Sequence, residues 1–528
     1  MSTETSLSAG SSATAMDGAR DPLAGVRVLA AVLLLFLVVR VAWVGDDAFI
    51  TLRTVDNLLH GYGLRWNTVE RVQAYSHPLW MMVLVPFAAL LDAPVLQLLV
   101  PSLLVSGAAF LAYFRSAATT AGLVGGFLVL ALSRSLVDFS TSGLENPLSY
   151  LLLVLLVAAA DRPSIRPLEI ALVSSLLLLN RLDLAFLALP LATAAILRAG
   201  PRPPLRALAL GASPLVAWLL FATVYYGTPL PNTYHAKLGA GIPAWDFVRQ
   251  GARYFVDLLF HEPATVLIPF LGLAAGLSLG GWRGRAAGAG LVLHAAYVVR
   301  VGGDFMSARF LTPQVVVSGL LLVRWLDVRL APAATRAAAA AGIVAAFLAV
   351  LATGVHPLEP EGRSPRPSGL VDERAFFRPF GALSHLVYSD RLALKNRWTR
   401  AAMDLRAQGR REVLVSKSVG WEGYFSGPEV HVIDAMGLAD AFVARLPVKP
   451  GRWRIGHLER EVPEEYVRSV KRRENRLTDP ALAALYEDVV SVTRGPLVSP
   501  GRLRAMWRLH RRKPVPLPSP SPSPSPPT

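Results

Sequence analysis

The sequence predicts a polytopic α-helical membrane protein of about eleven transmembrane helices, followed by a C-terminal extracytoplasmic α/β domain. Three observations carry this expectation. Of the 528 residues 53% are hydrophobic and only 17% charged, whereas soluble chains carry about 25% charged residues; the mean hydropathy is +0.43. Apolar runs recur from residue 24 to residue 354, and beyond His356 the composition turns mixed, charged and alternating.

Taken in order, residues 1–20 are Ser-, Thr-, Ala- and Gly-rich without periodicity and are expected to be disordered. The first apolar run, 24–44, ends in Trp43-Val44-Gly45-Asp46 rather than a small-x-small site, so it reads as an anchor and not as a cleaved leader. Further runs follow at 79–91, 95–114, 117–133, 147–160, 168–179, 184–197, 207–224, 264–280, 286–299, 310–326 and 334–354. The run 79–91 is short, contains Pro86 and lies between His77-Pro78 and Asp92-Ala93-Pro94. It reads as re-entrant or interfacial rather than as a crossing.

Without that crossing the turns sort into two groups. One collects Arg115, Arg162 to Arg166, Arg198 to Arg206, Arg283 to Arg285 and Arg324 to Arg329. It is basic and otherwise bland, which the positive-inside rule assigns to the cytoplasm. The other collects the loop 45–94, Thr141 to Pro147, Asn180 to Asp183, the loop 225–262 and Arg300 to Arg309, where carboxylates, amides, aromatics and glycines mix. The expected arrangement is therefore a multi-pass membrane protein, its N-terminus cytoplasmic and its C-terminal domain outside. Residues 21–355 form the transmembrane part and 356–513 the extracytoplasmic domain. Within that domain Glu412–Ser416 and Glu429–Asp434 read as strands, and Pro379–Arg391, Trp398–Gln408 and Pro463–Val470 as helices. The Ser-Pro tail 514–528 is expected to be disordered.

The net charge of +16 suits arginine-rich cytoplasmic turns. Nucleic acid is not expected as a partner, because the arginines lie between apolar runs and in one tail. The chain has no cysteine, which excludes disulfides, thiolate metal sites and cysteine nucleophiles. Nothing in the pattern speaks to an oligomeric state.

The densest polar stretch is Asp46 to Trp80. Two adjacent carboxylates, Asp46 and Asp47, at the mouth of a membrane helix are expensive unless they face water or a ligand. Either could instead cap a helix running toward His60. Arg53 is too far along to be an i,i+4 partner of either aspartate; it is a phosphate ligand or an interface arginine. Lys237 is a phosphate contact or a solvated charge, and Asp304 with Arg309 a ligand-binding pair or a loop salt bridge. Glu145, at the head of a run, is equally suited to a helix dipole and to a sugar. Asp46, Asp47 and Glu145 could hold a divalent cation through oxygen, but no spacing motif compels one. Trp421, Tyr424 and Trp453 could stack on sugar faces or pack in a core.

As a set these motifs resemble the glycosyltransferase C (GT-C) superfamily, and more closely the terminal β-1,2-arabinofuranosyltransferase family of the mycobacterial cell wall. The matching pieces are Asp46-Asp47-Ala48-Phe49-Ile50 with Arg53 and Asn57, Gly61-Tyr62-Gly63-Leu64, Trp66-Asn67, Glu70-Arg71-Val72 and Tyr75 to Trp80. Gly143 to Pro147, Pro231-Asn232-Thr233-Tyr234 with Ala236-Lys237, Gly302 to Met306 with Arg309-Phe310, and Asp434 to Asp440 continue them in the same order. Gln73-Ala74 and Ser76-His77 depart from the family pattern. The resemblance implies a GT-C fold, a polyprenyl-phosphate sugar as donor and a cell-envelope glycan as acceptor on the outer face of the bilayer. Asp46 is then expected as general base, with Asp47 as alternative or partner. Arg53, Asn57, Glu70, Tyr75, His77, Glu145, Asn232, Tyr234, Lys237, Asp304 and Arg309 are expected to bind substrate. The competing expectation is a transporter or flippase of lipid-linked glycans. Transporters favour repeated halves with midplane charges; here the charges gather at one boundary and no repeat is seen.

Overall fold

The computed structural model describes residues 21–200, 204–330, 335–360, 365–384, 394, 396–449 and 453–512. The expected disordered ends, 1–20 and 514–528 (the latter reaching one residue further at Lys513), lie outside them. The described chain is mostly helical. Every apolar run read from the sequence forms a helix, from Ala24–Arg40 and Pro78–Leu90 to Thr312–Arg329 and Arg336–Thr353. Prolines open many of them: Pro78, Pro94, Pro167 and Pro263 stand within the first two helical positions, where the missing N–H costs nothing.

Among the described residues four helices are long and apolar enough to cross a bilayer: Pro94–Phe114, Leu205–Tyr226, Arg309–Arg329 and Arg336–Thr353. A fifth results if Ala244–His261 and Pro263–Ser278, bent by 107°, form one span. The other crossings expected from the sequence fall to shorter or more charged helices, such as the 16-residue Asn146–Asp161. Leu220, Phe270 and Leu348 are 63%, 61% and 56% exposed on these helices. Such side chains belong against lipid rather than water. The apolar helices pack on one another in a continuous core running from Leu23 through Val350.

In the C-terminal segment the two expected strands are present as Val413–Ser416 and His431–Asp434, paired in parallel with Val413 opposite His431 and Ser416 opposite Asp434. The helix Val419–Ser426 joins them, as a parallel pair needs a crossover. Helices Arg397–Ala407 and Glu464–Arg472 match the sequence reading to within two residues. The helix expected over Pro379–Arg391 is displaced: a helix spans Glu373–Gly381, and 385–393 lie outside the described residues. Helices Ala244–His261, Pro480–Arg494 and Pro500–Arg511 were not expected. The first is amphipathic, burying Phe247, Gly251, Tyr254 and Leu258 at helical spacing, a weaker signal than an apolar run.

The C-terminal segment is knitted into the opening loop. Trp43 bridges to Ala382 and Met306 to Val371. Trp421, fully buried, packs on Phe49, Phe377, Phe380 and Trp398. Trp453 lies against Phe247. The sugar-stacking role considered for Trp421 therefore gives way to core packing.

Candidate active site

Gly45 is extended and starts the helix Asp46–Leu59, so Asp46 and Asp47 are its first two residues. Consecutive helical side chains diverge by about 100°, and these two point to different surroundings. The Asp46 carboxylate turns to the N-terminus of Val419–Ser426. It accepts from the backbone N–H of Trp421 at 2.7 Å and of Gly420 at 3.0 Å, and from the Ser418 hydroxyl at 3.3 Å. It caps a helix from a distant part of the chain, where free N–H groups and the helix dipole favour an anion. The approach is close: a Cβ on Gly420 would stand 1.8 Å from the Asp46 carbonyl oxygen. On the opposite side Gly143, at φ +85°, lies where a Cβ would meet that of Ala48 at 2.6 Å.

Asp47 is half-buried, and no hydrogen bond from the described residues reaches its carboxylate. It opens onto a cavity of about 210 Å³ together with Asp46, Lys237, Glu373, Lys417, Arg454 and His457, with Phe305, Phe376, Phe377 and Trp398 on the walls. Burial pushes the Asp47 carboxyl up; Arg309 and Lys237 oppose the rise, while Asp304 and Glu145 add to it. Burial raises the Asp46 carboxyl to about 7 against the N–H groups that hold it, and the charge of Asp47 adds to the rise. Glu373, also buried, is pushed well above the carboxylate range by burial and then by Asp47. Three carboxyls in one small cavity cannot all ionise cheaply.

Beneath Asp47 lies a buried ionic network. Arg309 donates to both oxygens of Glu145, at 2.8 and 3.0 Å, and to the Asn146 amide oxygen at 3.3 Å. Arg181 stands 3.7 Å from Glu145 and also pairs with Asp183. His77 places Nδ1 3.2 Å from Glu145 and Nε2 2.8 Å from the Thr51 hydroxyl. Burial alone would raise the Glu145 carboxyl, but Arg309, His77 and Arg181 together hold it well below its usual range. Asp304 accepts from the Phe305 N–H at 2.9 Å; its other oxygen has no hydrogen-bond partner among the described residues, and Arg309 stands 3.9 Å away.

Asp47, His77, Glu145, Lys237, Asp304 and Arg309 are thus brought together from four distant segments. Others of the expected set are not. Arg53 is 2% exposed and committed to the carbonyls of Trp66, Gly423 and Val430, with its guanidinium over the Trp66 ring. Asn57 donates to the carbonyls of Arg65 and Trp66. Glu70 is held by Asn67 and Arg494. The Tyr75 hydroxyl meets that of Tyr226 at 3.0 Å, and the Asn232 amide donates to the carbonyls of Gly437, Leu438 and Asp440. These five are engaged by protein groups and position loops rather than lining the cavity, as buried polar groups must be satisfied. Tyr234 is 43% exposed beside His235, outside the cavity wall.

Glu373, Lys417, Arg454 and His457 line the cavity and were missed. Glu373 follows Asp372 at an ordinary helix start, and the two cations and the histidine lie in charged loops without spacing, so no sequence signal marked them. Among the described residues no three His, Asp or Glu side chains form a cluster able to hold a metal ion.

A carboxylate with a raised affinity for protons, free of protein donors and beside cations, can accept a hydroxyl proton while the cations receive a departing anion. No family model matches the chain. It is 33% identical to the terminal β-(1→2)-arabinofuranosyltransferase of Mycobacterium tuberculosis, the match covering 51% of this chain and 50% of that protein. It is 32% identical to the terminal β-(1→2)-arabinofuranosyltransferase of Corynebacterium glutamicum, over 51% of this chain and 46% of that one. The chain therefore spans about half the length of the curated relatives it matches, and across that half it bears a family resemblance to the terminal β-(1→2)-arabinofuranosyltransferases.

Proposed function

We propose that the protein is an integral-membrane glycosyltransferase of the GT-C type. It moves a sugar, a pentofuranose such as arabinose, from a polyprenyl-phosphate donor to a cell-envelope glycan on the outer face of the membrane. The observation that carries this reading is the placement of Asp47: a cavity-lining carboxylate with no hydrogen-bond partner among the described residues, with Lys237 lining the same cavity and Arg309 acting on it electrostatically. The names of the two relatives supply the sugar.

In this reading Asp47 is the general base. A carboxylate near its solution pKa of about 4 is a weak base at neutral pH, and burial beside other acids strengthens it. Asp46 is the less suited of the pair, because its oxygens are engaged by Gly420, Trp421 and Ser418. Negative charge on Asp47 also favours the positive character that develops on the sugar ring, while Glu373, whose carboxyl is pushed up by burial and by Asp47, stays protonated beside it. Lys237 and Arg454 face the same cavity and would receive the leaving phosphate. Arg309 is already taken up by Glu145 and holds the floor of the site.

The test uses the full chain in membranes with radiolabelled polyprenyl-phosphoryl-arabinofuranose and an arabinan acceptor. Wild type should transfer label. Asp47→Asn should lose at least about a hundredfold, the scale of general-base catalysis, and Asp46→Asn should retain most activity. Equal transfer by wild type and Asp47→Asn would end the assignment.

A further inference from the structure

A second cavity among the described residues is larger than the one that holds Asp47. It measures about 790 Å³ and lies at the N-terminal ends of the two strands, within the range of about 300–1,000 Å³ typical of ligand sites. Its wall carries Arg411, Lys471, Arg472, Arg473 and Arg494 against Glu412 and Glu429. Both acids are already balanced, Glu412 by Arg410 and Glu429 by Arg411 at 2.7 Å. Arg494 leans back to Glu70 at 3.3 Å. Among the described residues no carboxylate lies within 4 Å of Lys471, Arg472 or Arg473. Three consecutive cations therefore face the cavity without counter-charge.

We propose that this cavity binds an anionic glycan: a carbohydrate carrying carboxylate or phosphate groups. The backbone supports the assignment independently of the charge count. Arg473 ends the helix Glu464–Arg472 at φ +55°, ψ +34°, the left-handed position that glycine or asparagine usually fills. An arginine there gives up the glycine's ease and gains a guanidinium on the wall. The rest of the lining is Thr68, Val69, Val413, Pro428, Val430, His431 and Val470. It offers no Phe, Tyr or Trp face for a nucleobase to stack upon.

The site has a geometric relation to the Asp47 cavity. Arg411 to Val413 and Glu429 to His431, at the starts of the strands, line the basic cavity; Lys417 to Val419 and Met436, just past their ends, line the other. The parallel pair spans four residues, about 13 Å at strand rise. A glycan chain held by its anionic groups at one end of the sheet reaches the transfer cavity at the other. That the anion is a glycan, and that this glycan is the acceptor, rests on the glycosyltransferase reading; that the cavity takes an anion does not.

Binding is measured on the full chain in phosphatidylcholine nanodiscs, without donor, using tetragalacturonate, phosphorylated maltotetraose and unmodified maltotetraose. At least one charged oligosaccharide should bind, more weakly as salt rises, and unmodified maltotetraose should not. Arg473→Gly should weaken binding about tenfold while leaving the melting temperature unchanged or raised, and Lys471→Ala/Arg472→Ala should weaken it further. Absence of binding by both charged probes, or equal binding by wild type and both variants, would overturn the proposal. So would capture by phosphatidylglycerol vesicles through the same residues with no oligosaccharide bound. Asp47→Asn should bind as wild type does. Lost binding with intact Asp47-dependent transfer defeats this site alone, and intact binding without transfer defeats only the transferase reading.

Discussion

Asp46 and Asp47 are neighbours in the chain and opposites in circumstance. Asp46 is a cap whose carboxyl is carried to about 7 by burial, from an ordinary value near 3.8. The folded state thus keeps a proton there that the unfolded chain has released. Stability present below about pH 4 is lost as pH rises through 7. Thermal unfolding of Asp46→Asn followed from pH 4 to 8 should show a flatter profile than wild type. Asp47 must be ionised to act, and its pKa is raised by burial. The ascending limb of kcat/KM against pH should accordingly lie above the usual carboxylate range, and a limb centred near 4 would count against Asp47 as base. Arg309→Gln leaves the buried Glu145 with only His77 and the more distant Arg181. Removing one partner of a buried pair costs about 3 kcal/mol, so this variant should melt earlier as well as transfer poorly.

At the scale of elements, the helix Asp46–Leu59 is held between two close approaches. A side chain at Gly420 has no room beside the Asp46 carbonyl, so Gly420→Ala should unfold at lower temperature or separate the helix Val419–Ser426 from its cap. Asp46→Ala removes the acceptor for two N–H groups. Loss of such a cap costs about 1–2 kcal/mol, whereas asparagine preserves one acceptor and should lose less. Differential scanning would order the proteins by decreasing melting temperature as wild type, Asp46→Asn, then Asp46→Ala. Arg53 acts at the same scale. It ties the loop around Trp66 to the turns at Gly423 and Val430.

For the whole molecule, the proposed arrangement puts the basic turns inside and both cavities outside. The chain lacks cysteine, so single introduced cysteines report without background. Val498→Cys, at a site 83% exposed, should react with an impermeant maleimide in intact cells. Pro163→Cys, in the basic turn after Asp161, should react only after permeabilisation. The reverse pattern would place the cavity with Asp47 in the cytoplasm and remove access to an outer-face acceptor.

The apolar helices, the change of character near His356 and both short strands were legible from residue order alone. Each rests on local periodicity: a run of Leu, Val and Ala about 13–22 residues long, or four alternating residues between turns. That Asp47, Glu145, Asp304 and Arg309 would come together was also legible, since charged side chains among apolar runs must find partners or ligands. Which of the two adjacent aspartates on the cavity is capped was decided by Val419–Ser426, an element whose Gly420 N–H lies 374 residues from Asp46 along the chain and claims its carboxylate. The same long-range packing brought in Glu373 and Arg454 and withdrew Arg53 and Tyr75 into the interior. Order along the chain determines which groups are costly to bury; only the folded packing determines which of them find a protein partner and which are left for a ligand.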